Sequence, residues 1–306
     1  MRVLVTGGTG FVGGWLEREL RRHGYDAVAV GRADGDLSQP GVAAGLVDSV
    51  RPDAIAHLAA VASPRDAAHD PAATLRSTVG GTIAVLEAAA GLEPRPPVLV
   101  SGSAEIYASR DDTAALTESA SLGPRTPYGL AKAGQEGVAV SIAARAGLRL
   151  AVTRSFNHTG PGQSTAYVVP ALAARLRDVV DGRATTIRVG NLDVRRDISD
   201  VRDVVRAYRL LLEHLIASAA PVVRTVNVAS GSAVTIRSVV EDLFLIAGRE
   251  APLVVDPALV RTDEPRVVGG DARAIEALVG WRPSIPLQTT LADVWAASAS
   301  GAAAAD

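Results

Sequence analysis

Thr6-Gly7-Gly8-Thr9-Gly10-Phe11-Val12-Gly13 is the stretch that decides the fold. Before it, Arg2 to Thr6 is a short apolar run that reads as a buried strand. After it, Phe11, Trp15, Leu16 and Leu20 recur along one helical face as far as Gly24. Glycines at 7, 10 and 13 let backbone approach a pyrophosphate, while the helix start offers unpaired N–H groups and positive potential. A tight turn that binds nothing could use the same glycines. The strand before and the helix after favour a dinucleotide loop in which Gly7, Thr9, Gly10, Phe11, Val12 and Gly13 meet the cofactor.

Outward from this loop, apolar runs at Asp26 to Val30, Ala54 to Leu58, Pro97 to Val100 and Leu148 to Thr153 alternate with helical patterns. The helices run from Thr74 to Ala90, behind Pro71, and from Tyr128 to Ala146. Near-continuous apolar strands of this kind belong to a parallel sheet covered on both faces. The expectation is an α/β protein, a Rossmann-type doubly wound parallel sheet over residues 1–155. Beyond it the pattern loosens into a helix from Val168 to Val180, a polar Arg195 to Asp200, a helix from Val201 to Leu215 and a strand from Arg224 to Val228. Residues 201–229 are expected to return to the main sheet. Residues 156–200 and 230–297 then make a smaller C-terminal α/β substrate-binding part, with a frayed tail at 298–306.

The 306 residues are 48% hydrophobic with a net charge of −2, enough for a sizeable core and without a polyanion-binding character. Acidic and basic residues are interspersed, which argues against nucleic acid as a partner. No cysteine is present, so disulfides and thiol chemistry are excluded. The five histidines lack metal-ligand spacing, so no metal is expected. Met1-Arg2 leads straight into the first strand, unlike a signal peptide, and no apolar run reaches the ~18 residues of a membrane helix. A soluble cytoplasmic protein without a membrane partner is the expectation.

The end of the second strand reads Val28-Ala29-Val30-Gly31-Arg32. An acidic residue there bonds the ribose 2′-hydroxyl of NAD, whereas an arginine accommodates the 2′-phosphate of NADP. Gly31 carries no carboxylate and Arg32 follows it, so NADP(H) is favoured. NAD(H) stays open, with Asp34 or Asp36 as the alternative ribose partner.

Lys132 is the only lysine in a chain whose other basic residues are arginine, and it stands four residues after Tyr128. On a helix, that spacing puts both side chains on one face. An ammonium is compact where a guanidinium is a broad fork, so a lysine kept here suits a small cationic niche beside a phenol. Three further runs fall at the carboxyl ends of strands, where open α/β sheets bind ligands. These are His57-Leu58-Ala59-Ala60, Ser101-Gly102-Ser103-Ala104-Glu105-Ile106-Tyr107 and Arg154-Ser155-Phe156-Asn157-His158-Thr159-Gly160-Pro161-Gly162.

With these motifs the chain resembles the extended short-chain dehydrogenase/reductase family, the sugar-nucleotide epimerases and dehydratases, over nearly its whole length. The resemblance implies that Ser103, Tyr128 and Lys132 form a catalytic triad, with Glu105 beside them, and that Tyr128 and Lys132 also meet the cofactor. It implies that Leu58, Ala59 and Ala60 line the cofactor and that Asp36-Leu37 approaches its adenine. For the substrate it implies Ser63, Ser103, Glu105, Val169 and Glu264, with Asn157 at the sugar diphosphate and Arg196 and Arg261 gripping it. A homodimer through the helices that start near Thr74 and Tyr128 would also fit the family.

Within the family the likeness is greatest to GDP-4-keto-6-deoxy-D-mannose reductases. It rests on Ser103-Ala104-Glu105-Ile106-Tyr107, Phe156 to Gln163, Val189-Gly190-Asn191-Leu192 with Arg196-Asp197, and Gly280-Trp281 with Pro283. What this implies is NADP(H)-dependent reduction of a GDP-bound 4-keto sugar, with Lys132 lowering the pKa of Tyr128. Two positions depart from the family. Thr78 replaces the usual Asn of an Asn-Val-x-Gly-Thr run, and Ala108 replaces the usual glycine after Tyr107. A 4,6-dehydratase using Glu105, a 4-epimerase and a dinucleotide-binding regulator without turnover are the competing readings. Ala104, where many dehydratases carry Asp, weighs against the first of these.

Overall fold

The computed structural model describes residues 1–108, 114–260 and 265–299. Its centre is a six-stranded, all-parallel sheet. The strands are β1 (Arg2–Thr6), β2 (Asp26–Val30), β3 (Ala54–His57), β4 (Val98–Ser103), β5 (Arg149–Ser155) and one from the C-terminal half, Val222–Val228, in the spatial order β2-β1-β3-β4-β5-(Val222–Val228). The chain leaves β1 toward β2 on one side and returns to β3 on the other. That reversal opens a crevice at the carboxyl ends of β1 and β3.

Both faces of the sheet are covered. On one, α1 (Phe11–Arg22) and the helix Val201–Ala217 pack Leu16, Leu20, Tyr208 and Leu211 against Val3, Val5 and Leu99. On the other, α2 (Val42–Val50) and Gly81–Ala90 pack Val47, Val85 and Leu86 against Leu4, Ile55 and Val98. These residues are all but removed from water, which is why the strands read as unbroken apolar runs.

Several boundaries differ from the sequence reading. The helical stretch expected from Thr74 starts at Pro71, because the Asp70 carboxylate accepts the Ala73 N–H at 2.9 Å. It contains a π turn over Arg76–Gly80 before continuing to Ala90. α2 and a short α3 (Pro64–His69), which follow here, have no counterpart in the reading. The helix carrying Tyr128 begins at Pro127, where the Thr126 hydroxyl accepts the Gly129 N–H at 2.9 Å, and ends at Gly147 with φ +66°.

The polar stretch at Arg195 to Asp200 is a buried strand. Its charges are internal connectors. Asp197 accepts the N–H groups of Ser230 and Gly231 at 2.7 and 3.0 Å, and Asp200 accepts the Thr290 hydroxyl at 2.7 Å. A separate apolar cluster holds the C-terminal elements together, with Leu172, Leu176, Ile198, Val239 and Leu291 among its members. Residues 300–306 of the expected tail lie outside the described residues. Among those described, no helix is long and apolar enough to cross a membrane.

Candidate active site

The glycine loop sits at the crevice. Gly7 adopts φ +69°, and a Cβ there would come within 2.8 Å of the Ala59 amide nitrogen. Only glycine therefore lets β1 turn this close to β3. A Cβ on Gly13 would collide with the Gly7 carbonyl, so that glycine seats α1 against the turn. Gly10 is the N-cap of α1 and supplies no side-chain cap, so the amides of the first turn have no acceptor within the helix. Open glycine backbone and uncapped amides fit the pyrophosphate of a dinucleotide. Leu58, Ala59 and Ala60 flank the loop, partly exposed.

At the ribose corner, a Cβ on Gly31 would run into the Thr9 hydroxyl. Thr9 thus excludes the carboxylate that NAD-binding members of such folds place at this strand end. The alternative acids are engaged locally. Asp34 accepts the Gly31 N–H at 2.8 Å, and Asp36 accepts both the N–H and the hydroxyl of Ser38 at 2.9 and 2.8 Å. Those bonds, backbone first, hold the Asp36 carboxyl below its ordinary pKa. Arg32 is exposed. Arg76, which the sequence reading passed over, lines a depression together with Asp36, Ser38, Ser77 and Gly80. Leu37 is half-buried with its Cβ facing Gly81.

Across the crevice, Ser103 ends β4, and Tyr128 and Lys132 lie one turn apart on the helix Pro127–Ala146. The Ser103 hydroxyl accepts the Glu105 N–H at 3.2 Å, and it is near enough to the Tyr128 phenol to favour the phenol's charged form. Glu105 is exposed and accepts the Thr126 hydroxyl at 3.2 Å. Lys132 is 5% exposed. Its Nζ donates to the Ser101 carbonyl at 2.9 Å and to Gln135 Oε1 at 3.0 Å.

The expectation that Lys132 lowers the phenol's pKa does not hold here. Burial raises Tyr128 well above its ordinary value, Glu105 adds to the rise, and Ser103 opposes it. Burial likewise lowers Lys132 to about 8. Desolvation outweighs the cation, whose bonds point inward. A protonated phenol results, which is the form that can donate a proton.

The remaining assignments divide. Ser63 caps α3, accepting the Asp66 N–H at 3.3 Å, and the Tyr167 hydroxyl donates to the neighbouring Ala62 carbonyl at 3.2 Å. Asn157 is exposed at the start of a short strand, Asn157–Thr159. The Trp15 indole donates to the Pro161 carbonyl at 3.3 Å and ties that loop to α1. Val169 is 2% exposed inside the C-terminal apolar cluster. Leu172 and Leu176 belong to the same cluster. The Arg196 guanidinium donates to the Arg195 and Pro265 carbonyls at 2.8 and 3.0 Å. Arg261 and Glu264 lie outside the described residues.

The two departures from the family pattern have local consequences. Thr78 is buried, and its hydroxyl takes the Val61 N–H at 3.4 Å. Ala108 keeps its backbone bond to the Ser121 carbonyl at 2.9 Å, and its methyl occupies the space that Gly123 leaves open. Among the described residues no three His, Asp or Glu side chains gather as a metal set.

His57, at the end of β3, is fully buried and hydrogen-bonded to Thr6 at 2.7 Å and Thr82 at 2.9 Å. Burial, aided by the Lys132 charge, lowers its pKa from 6.5 to about 3. Between those values the unfolded chain binds a proton that the folded chain does not, so this contribution is complete above pH 6.5 and is lost as pH falls toward 3. Unfolding free energy from urea titrations should therefore drop by about 2 kcal/mol between pH 7 and 5. A His57→Gln variant should lose that slope, and an unchanged slope would count against a neutral buried imidazole.

A model of the NAD dependent epimerase/dehydratase family matches residues 3–229. GDP-6-deoxy-D-mannose reductase from Pseudomonas aeruginosa is 34% identical over 293 residues, 95% of this chain and 94% of that one. The structure of RMD from P. aeruginosa complexed with NADPH superposes with TM-score 0.87 at 32% identity, covering 98% and 99% of the two chains. A UDP-glucose-4-epimerase from Stenotrophomonas maltophila, with bound NAD and formylated UDP-arabinopyranose, gives TM-score 0.88 at 25% identity over 100% of both.

Proposed function

The chain belongs to the NAD dependent epimerase/dehydratase family of nucleotide-sugar enzymes, and from that premise we propose that it reduces the 4-keto group of a nucleotide-activated 6-deoxy sugar. The favoured reaction takes GDP-4-keto-6-deoxy-D-mannose to GDP-D-rhamnose with NADP(H). The observation that carries the reading is the meeting of Ser103, at the carboxyl edge of the sheet, with Tyr128 and, one helical turn further on, Lys132.

When bound, the nicotinamide supplies the hydride. Tyr128 holds the proton for the carbonyl oxygen, and burial keeps that proton on the phenol at neutral pH. Ser103 holds the same oxygen by a hydrogen bond that strengthens as negative charge develops. Asn157, at the start of its short strand, and Ser63, the cap of α3, are proposed contacts of the nucleotide sugar, as is Glu264; Arg196 and Arg261 are assigned to its diphosphate. Residues 1–155 with 201–229 would then bind the dinucleotide, and 156–200 with 230–297 the sugar nucleotide. A cytoplasmic homodimer accompanies the reading, since the exposed Leu75 and Leu130 lie on the helices a dimer would pair.

The test is to mix the protein and NADPH with GDP-, dTDP- and UDP-linked 4-keto sugars and follow oxidation of the reduced nicotinamide, and in a separate reaction to offer GDP-mannose and analyse the sugar product. Consumption with the GDP sugar supports the proposal. Conversion of GDP-mannose without net cofactor use would replace it by a dehydratase, and silence with every sugar would leave a binding protein.

For the cofactor, Arg32 and the collision of any Cβ at 31 with Thr9 support NADPH. Arg32→Ala should weaken NADPH binding about tenfold, at the low end of a charge-assisted hydrogen bond for an exposed group, while leaving NADH binding unchanged. Equal losses for both cofactors by fluorescence titration would remove Arg32 from the 2′-phosphate.

A further inference from the structure

Behind Lys132 lies a buried polar chain whose hydrogen-bond directions can be assigned atom by atom. Gln135 is 1% exposed and Thr6, His57 and Thr82 are fully buried. The Thr82 hydroxyl donates its only proton to the Thr78 carbonyl at 2.7 Å, because a carbonyl can only accept. Its other two partners must therefore donate to it. One is Gln135 Nε2 at 2.9 Å and the other is His57 Nε2 at 2.9 Å. The imidazole then carries its proton on Nε2, and Nδ1 accepts from the Thr6 hydroxyl at 2.7 Å.

These directions fix the amide of Gln135. With Nε2 facing Thr82, Oε1 faces the Lys132 ammonium at 3.0 Å. A flipped amide would set its oxygen against an oxygen with no proton to give, and its NH₂ against a cation. Both branches end on Thr82, so no proton passes between Lys132 and His57 along this route. The chain serves to hold the lysine. Two of the three ammonium N–H groups are taken by Ser101 and Gln135, which leaves one for the cleft.

We propose that Gln135 is a positioning residue for Lys132: clamped by Thr82 and His57, its carboxamide oxygen keeps the buried ammonium charged and turned so that a single N–H faces the reacting edge. The inference rests on the reductase reading only in giving Lys132 work to do there. The titratable groups around Lys132 are His57 on β3, Tyr128 and Glu136 on its own helix, Tyr208 bonded to the Ser101 hydroxyl, and Arg154 bonded to Glu136. Neither of the lysine's own partners is a carboxylate. The neutral amide is thus the polar side chain that offsets the desolvation lowering this lysine.

Because Lys132 is the chain's only lysine, ¹³Cε-lysine labelling of the full-length protein gives one side-chain resonance, whose pH titration reads this site without any substrate. Wild type should titrate near 8. Gln135→Met, similar in size but without the acceptor, should move the midpoint down by about one unit, a tenfold change in the protonation constant. Gln135→Glu should move it up, and Thr82→Val should move it in the direction of Gln135→Met.

Circular dichroism screens the variants for folding. Should Gln135→Met fail to fold, Gln135→Glu and Thr82→Val decide alone. Midpoints that coincide with wild type in the folded variants overturn the proposal and leave the reductase reading untouched. Shifted midpoints in a protein that reduces no 4-keto sugar uphold the proposal and overturn the reductase.

Discussion

Replacing Tyr128 by phenylalanine should lower kcat by about a hundred- to ten-thousandfold, the range by which a positioned proton donor accelerates a step, and should leave the affinity for NADPH largely intact. The variant removes one oxygen. In the proposed reaction that oxygen is the group that passes a proton to a carbonyl held against Ser103. On the proposed reading most cofactor affinity comes from the uncapped first turn of α1 and the glycines before it, so binding and turnover should separate. The pH profile should separate as well. Burial holds the wild-type phenol protonated well past neutrality, so its loss of proton should not limit the rate near pH 7. A kcat within threefold of wild type would take the proton from Tyr128 and give it to another donor, with Glu105 the first candidate. A parallel loss of NADPH binding would mean instead that the ring is a structural support of the cofactor cleft.

Much of this site is legible in the sequence because its parts are local. Gly7, Gly10 and Gly13 are three positions of one turn, and Tyr128 and Lys132 are neighbours on one helix. Each spacing carries its own geometry. What the sequence hides is set by burial and by partners distant along the chain. The phenol and the ammonium are adjacent, yet the ammonium turns to the Ser101 carbonyl and Gln135, and desolvation decides both pKa values. The one legible sign of Gln135 is its place three residues after Lys132 on the same helical face. Its anchor, Thr82, lies 53 positions away. The strand at Arg195–Asp200 was hidden by its charges, since nothing local shows that Asp197 will collect amides from residues 230, 231 and 270.

Arg154→Met should cost about 3–5 kcal/mol of unfolding free energy, the penalty for removing one partner of a buried ion pair. The Arg154 and Glu136 side chains are 7% and 11% exposed. The guanidinium meets the carboxylate twice, from Nε at 3.0 Å and from Nη2 at 2.5 Å, and it also donates to the Tyr107 hydroxyl at 3.1 Å and the Glu118 carbonyl at 2.8 Å. Burial alone would lower the arginine's pKa, but the bonds to Glu136 and Tyr107 carry it above the ordinary value. The network then runs from Tyr107 to Asn227 at 2.6 Å and from the Asn227 amide to the Leu116 carbonyl at 2.8 Å. It joins β5, the helix bearing the Tyr–Lys pair, the segment after Ser103 and the strand Val222–Val228. Methionine keeps much of the volume and removes the charge, so Glu136 is left buried with no counterion. The double variant Arg154→Met/Glu136→Leu removes that stranded carboxylate and should recover most of the loss. Urea midpoints of the two single variants and the double measure this coupling. Additive losses would show that the two side chains act independently and that the pair does not brace the catalytic helix.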